Sequence, residues 1–143
     1  MAKLSYWHKT FNCWIVRQEG DKSYLLFQKR GPEKAWFPNR LDVTAGGHIH
    51  AGESMEDSVR EIEEEIGIRA GLEDLVFLGV RSDPFASNGM INREFYYTYL
   101  LREDRSLMEY QLQAEELDGI FQMEIGEGMR FFSGETTAYR LTG

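Results

Sequence analysis

Between residues 45 and 68 the sequence reads AGGHIHAGESMEDSVREIEEEIGI, in which seven carboxylates (Glu53, Glu56, Asp57, Glu61, Glu63, Glu64, Glu65) fall within thirteen positions beside one arginine, Arg60. At about 100° per residue on a helix, Asp57, Glu61, Glu64 and Glu65 gather on one side. Acidic pairs at i, i+3 and i, i+4 cost a helix tenths of a kcal/mol each. A solvated charged face is the plain explanation of such a run. A divalent cation supplies another, because Mg2+ takes hard oxygen ligands and commonly joins carboxylates to substrate phosphates. The chemistry this second explanation would serve is metal-bridged binding of phosphate.

The elements that must position these residues are legible nearby. Ser54 with Asp57 matches a capping box and Gly67 supplies a stop, so the spacing predicts a helix from about 55 to 66. Met55, Val59, Ile62 and Ile66 recur at helical spacing and form its core side. Before it, LDVTAGG predicts a short strand ending at the glycine pair 46–47, where positive φ or a missing side chain lets the backbone approach a metal; a plain tight turn is the alternative. FNCWIVRQ and SYLLFQKR, separated by EGDK, whose Gly20 and Asp21 suit a turn, predict a hairpin. The segment GPEKAWFPNR is looser. DLVFLGV, the loop RSDPFASNGMIN, the aromatic run REFYYTYLL and GIFQMEI complete the strand candidates. The last fifteen residues carry no clear pattern, and AYRLTG reads as a frayed helix or a tail. Several strands around one strong helix imply an α/β or α+β mixed sheet with helical layers, in a single domain spanning 1–143.

Composition narrows the function classes. Apolar residues make up 42% and charged residues 28% of the 143 residues, a globular balance. The formal charge of −8 argues against general affinity for nucleic acid polymers, which favour basic surfaces. No apolar run is long enough to span a membrane. MAKLSYWHKT has no apolar export region, so the expectation is a cytoplasmic protein. The single cysteine, Cys13, sits in a strand-like run and is expected to pack. A homodimer stays open.

The run REIEEEIGI, Arg60 to Ile68, resembles the core of the Nudix box, R-E-U-x-E-E-x-G-U, and is preceded by the glycine pair and a G-E-S approach. The resemblance implies a Nudix α/β/α sandwich around a mixed sheet. It also implies a hydrolase that uses Mg2+ or Mn2+ to cleave a diphosphate linked to another moiety, so that its partner would be a small-molecule diphosphate substrate. Glu61, Glu64 and Glu65 would then bind metal, with a backbone carbonyl near Gly46 or Gly47 as a further ligand, and Arg60 would orient the carboxylates. The spacing departs from the box by one residue: six residues separate Glu53 from Arg60, where the box has seven. Seven steps nearly close two helical turns, so a Glu53–Arg60 ion pair could survive.

The segments WHKTFNCWIV, LLFQKR, EKAWFP and GGH are similar to type I isopentenyl-diphosphate isomerases, which share the fold. His8, His48 and Glu94 match metal-site positions of those isomerases. Another metal-binding carboxylate falls on Asn92, a further histidine lies at or before Met1, and the catalytic cysteine is replaced by Gly46. The complete acidic triad therefore favours hydrolysis over isomerisation, with a non-catalytic binding module as a third reading. Glu94 is a candidate general base, with Glu65, Glu115 and Glu116 as alternatives. Arg30 and Lys34 match positions that hold the diphosphate, though an exposed basic loop explains them equally. Trp36 and Phe37 could wall the substrate or belong to the core. His48 and His50 lie beside the glycines, placed to meet substrate or metal or to sit on a surface loop.

Overall fold

A computed structural model describes residues 5–32, 40–87, 90–113 and 117–143. Lys34, Trp36, Phe37, Glu115 and Glu116 lie outside the described residues. Strand β1 (Ser5–Glu19) turns at Gly20, whose φ of 63° suits a residue without Cβ, into β2 (Lys22–Arg30). The expected hairpin is present, with Val16 opposite Leu25 and Glu19 opposite Lys22. Strands β3 (Leu41–Val43) and β4 (Ala45–Ile49) follow, then helices α1 (Met55–Ser58) and α2 (Arg60–Ile66). Strands β5 (Val76–Ser87), β6 (Met90–Arg102) and β7 (Leu117–Glu124) and helix α3 (Ile125–Phe132) complete the order.

Among the described residues seven strands form one mixed sheet, β3-β2-β1-β6-β5, with β4 also on β1 and β7 also on β2. The β1–β6 pair is parallel, with His8 opposite Glu94 and Thr10 opposite Tyr96, and the other pairs are antiparallel. The antiparallel hairpin β1–β2 is a fork. Below Val16, β1 exchanges β2 for β4, pairing Lys9 to Cys13 with Ile49 to Ala45. On the other arm, Phe27 to Lys29 of β2 pair with β3. Thr44, fully buried between β3 and β4, stands where the arms part. Its hydroxyl accepts a hydrogen bond from Ile15 N at 3.0 Å and donates one to the Leu26 carbonyl. One side chain thus satisfies two backbone groups that have lost their ladder partners.

The pleat sorts β1 into two faces. Phe11, Cys13 and Ile15 have no exposure and enter a core with Leu26, Ala45, Ile62 and Ile66, while His8, Thr10, Asn12 and Trp14 face a cleft. The apolar stripe of the acidic helix lands as expected: Val59, Ile62 and Ile66 are buried and Met55 packs beside them. Burying each stabilises the fold by about 1.5–3 kcal/mol.

Three expectations change. The predicted helix 55–66 is divided at Val59, where Ile62 N bonds to the Val59 carbonyl, a tightened i to i+3 turn; its Ser54–Asp57 capping box and its Gly67 stop at φ 76° are present. The strand does not end at the glycine pair. It breaks at Thr44 and resumes through Gly46 and Gly47 to Ile49, because β4 continues to pair with β1. The expected loop 81–92 is largely strand, since β5 runs on to Ser87 against β6. Pro84 fits there because β5 is the sheet edge, where a missing N–H costs no ladder bond. Helix α3, capped by Glu124, runs into the unread last fifteen residues, and Thr142 among them bridges to Gln122.

Candidate active site

Helix α2 lies on β4 through its carboxylates. Glu65 Oε1 accepts a hydrogen bond from Gly46 N at 3.0 Å. One turn earlier, Glu61 covers Gly47 so closely that a Cβ at 47 would stand 2.9 Å from its carboxyl carbon. A Cβ at Gly46 would overlap the Phe11 carbonyl oxygen. Neither glycine needs positive φ, since both sit in extended β4; their requirement is the missing side chain.

Arg60 is fixed on three sides. Its guanidinium pairs with Glu53 at 2.5 Å, donates to the Asp57 carbonyl at 2.5 Å and approaches Glu64 at 3.5 Å. Glu53 also accepts from His50 N at 2.7 Å. The Glu53–Arg60 pair thus forms despite the shortened spacing. The His50 amide, followed by Arg60, holds the Glu53 carboxyl below the usual carboxylate range. Glu61 is shifted the other way, raised first by burial and then by repulsion from Glu64.

The second group faces the helix from β1, β4 and β6. Glu94 accepts from the Thr10 hydroxyl at 3.1 Å, and its other oxygen lies 3.8 Å from His48 Nε2. The His48 ring stacks on His8, with centroids 5.7 Å apart. Glu94 is nearly enclosed, its side chain 12% exposed, and lies within β6 rather than at its start. Both groups border one cleft of about 1010 Å3 over the sheet fork. Arg30 borders it too, paired with Asp42 at 3.1 Å, and so does His50. Trp14 and Phe27, from the two arms, meet edge to face at 5.2 Å.

Sequence reasoning missed Thr10, Asn12 and Gln28 as cleft residues. The signal for two of them was present: polar residues 8, 10 and 12 alternate with apolar 11, 13 and 15.

A divalent cation suits this donor set. Glu61 is a half-buried carboxylate among other carboxylates and forms no ion pair among the described residues. Burial first and the Glu64 charge second raise its proton affinity, and a bound cation would offset both. Glu64 leans on Arg60 and Glu65 on the Gly46 amide, and among the described residues no three acidic or imidazole side chains are already drawn together around an ion position.

Known proteins agree with this architecture. The NUDIX domain model matches residues 7–132. The uncharacterized Nudix hydrolase CA_C0446 of Clostridium acetobutylicum is 43% identical over 130 residues, covering 91% of this chain and 63% of its own length. The chain therefore spans less than two thirds of that relative. Among solved structures, the MutT NUDIX hydrolase of Burkholderia pseudomallei superposes with a TM-score of 0.61 at 25% identity, covering 82% of each chain. DR0079 of Deinococcus radiodurans gives 0.61 at 22% identity, over 93% of this chain and 76% of its own. With the family model spanning nearly the whole sheet and both groups of cleft carboxylates, the chain belongs to the NUDIX domain family.

Proposed function

We propose that this protein is a hydrolase that uses Mg2+ or Mn2+ to cleave a diphosphate linked to another moiety. The observation that carries the reading is the seating of Glu61 and Glu65 on the Gly47–Gly46 backbone at the cleft, with Arg60 locked beside them. Divalent metal dependence is typical of the family. Glu61, Glu64 and Glu65 would hold the metal, with the Gly46 region close by; the metal would neutralise phosphate oxygens and acidify a bound water.

The chain's own residues do the rest. A water attacks phosphorus, the bond to the bridging oxygen breaks, and the leaving phosphate departs with the electron pair. Arg60 holds Glu64 and, through Glu53, the loop before the helix, so the acidic face is oriented before substrate arrives. Glu94 is the general base in this reading, because it is nearly enclosed, borders the cleft and is steered by Thr10. Arg30 and His48 sit where they can meet the diphosphate, Arg30 as a forked cation. The match over 7–132 supports treating 1–143 as one catalytic domain.

The resemblance to isopentenyl-diphosphate isomerases is weakened by packing as well as by residue type. Position 46 has no room for a cysteine, because any Cβ there meets the Phe11 carbonyl. Cys13 is no substitute: it is fully buried on the core face of β1, and burial pushes its thiol up to about 12.

The test is a panel of diphosphate esters incubated with Mg2+, Mn2+ or chelator, scoring phosphate and nucleotide release. Metal-dependent hydrolysis that collapses in Glu64→Gln is expected. Isomerisation of isopentenyl diphosphate without hydrolysis of any member would overturn the reading.

A further inference from the structure

Helix α2 carries Glu61, Glu64 and Glu65 on seven residues, too few to hold a helix unaided. Its first turn is tied through Arg60 to Glu53, and Ile62 and Ile66 fix its buried side. The last turn has a separate tie. A strap of residues 103–113, leaving β6, passes beside it: Gln113 N donates to the Glu65 carbonyl at 2.9 Å, and Gln111 N donates to the Ile66 carbonyl at 3.1 Å. Both carbonyls end the helix, where no later turn supplies a donor.

The strap is itself anchored. Tyr110 is buried in the core, Leu107 and Leu112 pack against that core, and the Gln113 carbonyl accepts from Leu117 N at 2.9 Å, at the start of β7. Its approach to the helix is close. A Cβ at Gly67 would stand 2.8 Å from the Gln111 Cβ, so this glycine supplies both the left-handed turn that stops α2 and the room for the strap.

Glu65 is thereby held by side chain and by backbone. Its Oε1 takes the Gly46 amide of β4, and its carbonyl takes the Gln113 amide. The two together fix the rotation of the last turn, and with it the direction in which Glu64 and Glu65 leave the helix. Groups that support metal ligands in this way are worth about 10- to 100-fold in metal affinity.

We infer that Gln113, with Gln111, is a positioning residue acting through its main-chain N–H: the strap sets the last turn of α2, so that strap docking and metal binding form one linked equilibrium. The inference rests on the metal-dependent hydrolase reading and adds to it an element outside the acidic helix. Linkage makes the effect mutual. Metal on the carboxylates must hold the strap down by the same factor by which the docked strap tightens metal. The Gln113 side chain, exposed at the border of the cleft, has no part in this; only its N–H does.

The experiment measures Mn2+ binding to the full chain without substrate, from the free-ion EPR signal, in wild type, Gln113→Ala and Gln113→Pro. Alanine keeps the N–H and proline removes it. The Kd should be unchanged in Gln113→Ala and raised about 10- to 100-fold in Gln113→Pro, at a temperature where near-UV circular dichroism shows native tertiary structure. Amide exchange followed by NMR in wild type gives a second reading that needs no variant. Saturating Mg2+ should slow the Gln111 and Gln113 amides by about 10- to 100-fold, and far less the amide of Glu109, which bonds to the Ser106 carbonyl within the strap. An equal Kd in wild type and Gln113→Pro, an equal loss in Gln113→Ala, or Mg2+ slowing Glu109 as much as Gln111 and Gln113 would overturn the inference and leave the metal reading intact. Should Gln113→Pro fail to fold, the exchange comparison in wild type decides. Absence of Mn2+ binding by wild type would sink the hydrolase reading and take the inference with it.

Discussion

Replacing Glu61 by Gln should raise the stability of the metal-free protein and lower that of the metal-loaded one. Glu61 sits three residues before Glu64 and four before Glu65, half-buried against Gly47. Two like-charge pairs at these spacings cost about 0.4–1 kcal/mol together. For a chain of this length each kcal/mol moves the melting temperature by about 2–5 °C, so the variant should melt roughly 1–3 °C higher in chelator. The pH dependence has a definite sign. The folded-state pKa of Glu61 is raised, by burial first and Glu64 second, so ionising it opposes folding. The advantage of the variant should be absent below the unfolded carboxylate range and grow as pH rises through the folded value. Metal reverses the order. A cation at 100 times its Kd stabilises the native state by about 2.7 kcal/mol, roughly 8 °C here. A hundredfold weaker site in the variant leaves about 0.4 kcal/mol, or roughly 1 °C. The assay is four melting curves, wild type and variant with and without Mg2+, repeated across pH. Equal metal-induced shifts in the two proteins would refute the assignment of Glu61 as a ligand and reduce the acidic face to a solvated surface.

Other perturbations probe neighbouring parts of the same frame. Gly47→Ala should abolish hydrolysis with a small stability loss, because its Cβ would displace the Glu61 carboxylate; retained activity, measured beside a thermal melt, would show that the close approach is incidental. Arg60→Ala should raise the Glu53 carboxyl part of the way, a rise followed by NMR titration, because the His50 amide, the larger cause of its depression, stays in place. In wild type the depressed value means a stabilisation present above the unfolded carboxylate pKa and lost as pH falls through the folded one, and that acid limb should become shallower in the variant without disappearing. Thr44→Val keeps the shape but strands Ile15 N and the Leu26 carbonyl, at about 1–3 kcal/mol each, read as a lower urea midpoint. A midpoint unchanged from wild type would mean the strands re-pair without the hydroxyl.

The acidic helix was legible because its signals are local: the cap at Ser54, the stop at Gly67 and the stripe Val59, Ile62, Ile66 all act within a few turns. Its docking was less legible. That Gly46 and Gly47 serve close contacts inside a strand depends on Phe11 and Glu61, which approach only after β4 pairs with β1 and α2 folds back. The length of β5 was hidden by Pro84, a residue that reads as loop until the strand is known to be an edge. Gln28 was read as an ordinary strand residue for the same kind of reason. Its seclusion comes from the arrival of β3 beside it, opposite Asp42, a pairing that no periodicity within SYLLFQKR encodes.

The fork closed by Thr44 bears on how fast a ligand can enter. Room between two hydrogen-bonded strands ordinarily has to be opened, and breaking a ladder would put a conformational barrier before binding. Here the separation belongs to the folded ground state, since the Ile15 amide and the Leu26 carbonyl are already satisfied by a hydroxyl and have nothing to gain by closing. Entry between the arms therefore requires displacement of solvent and no strand rearrangement. Encounter should follow ligand concentration linearly up to the mixing limit of a stopped-flow instrument, without the plateau that a slow opening step imposes.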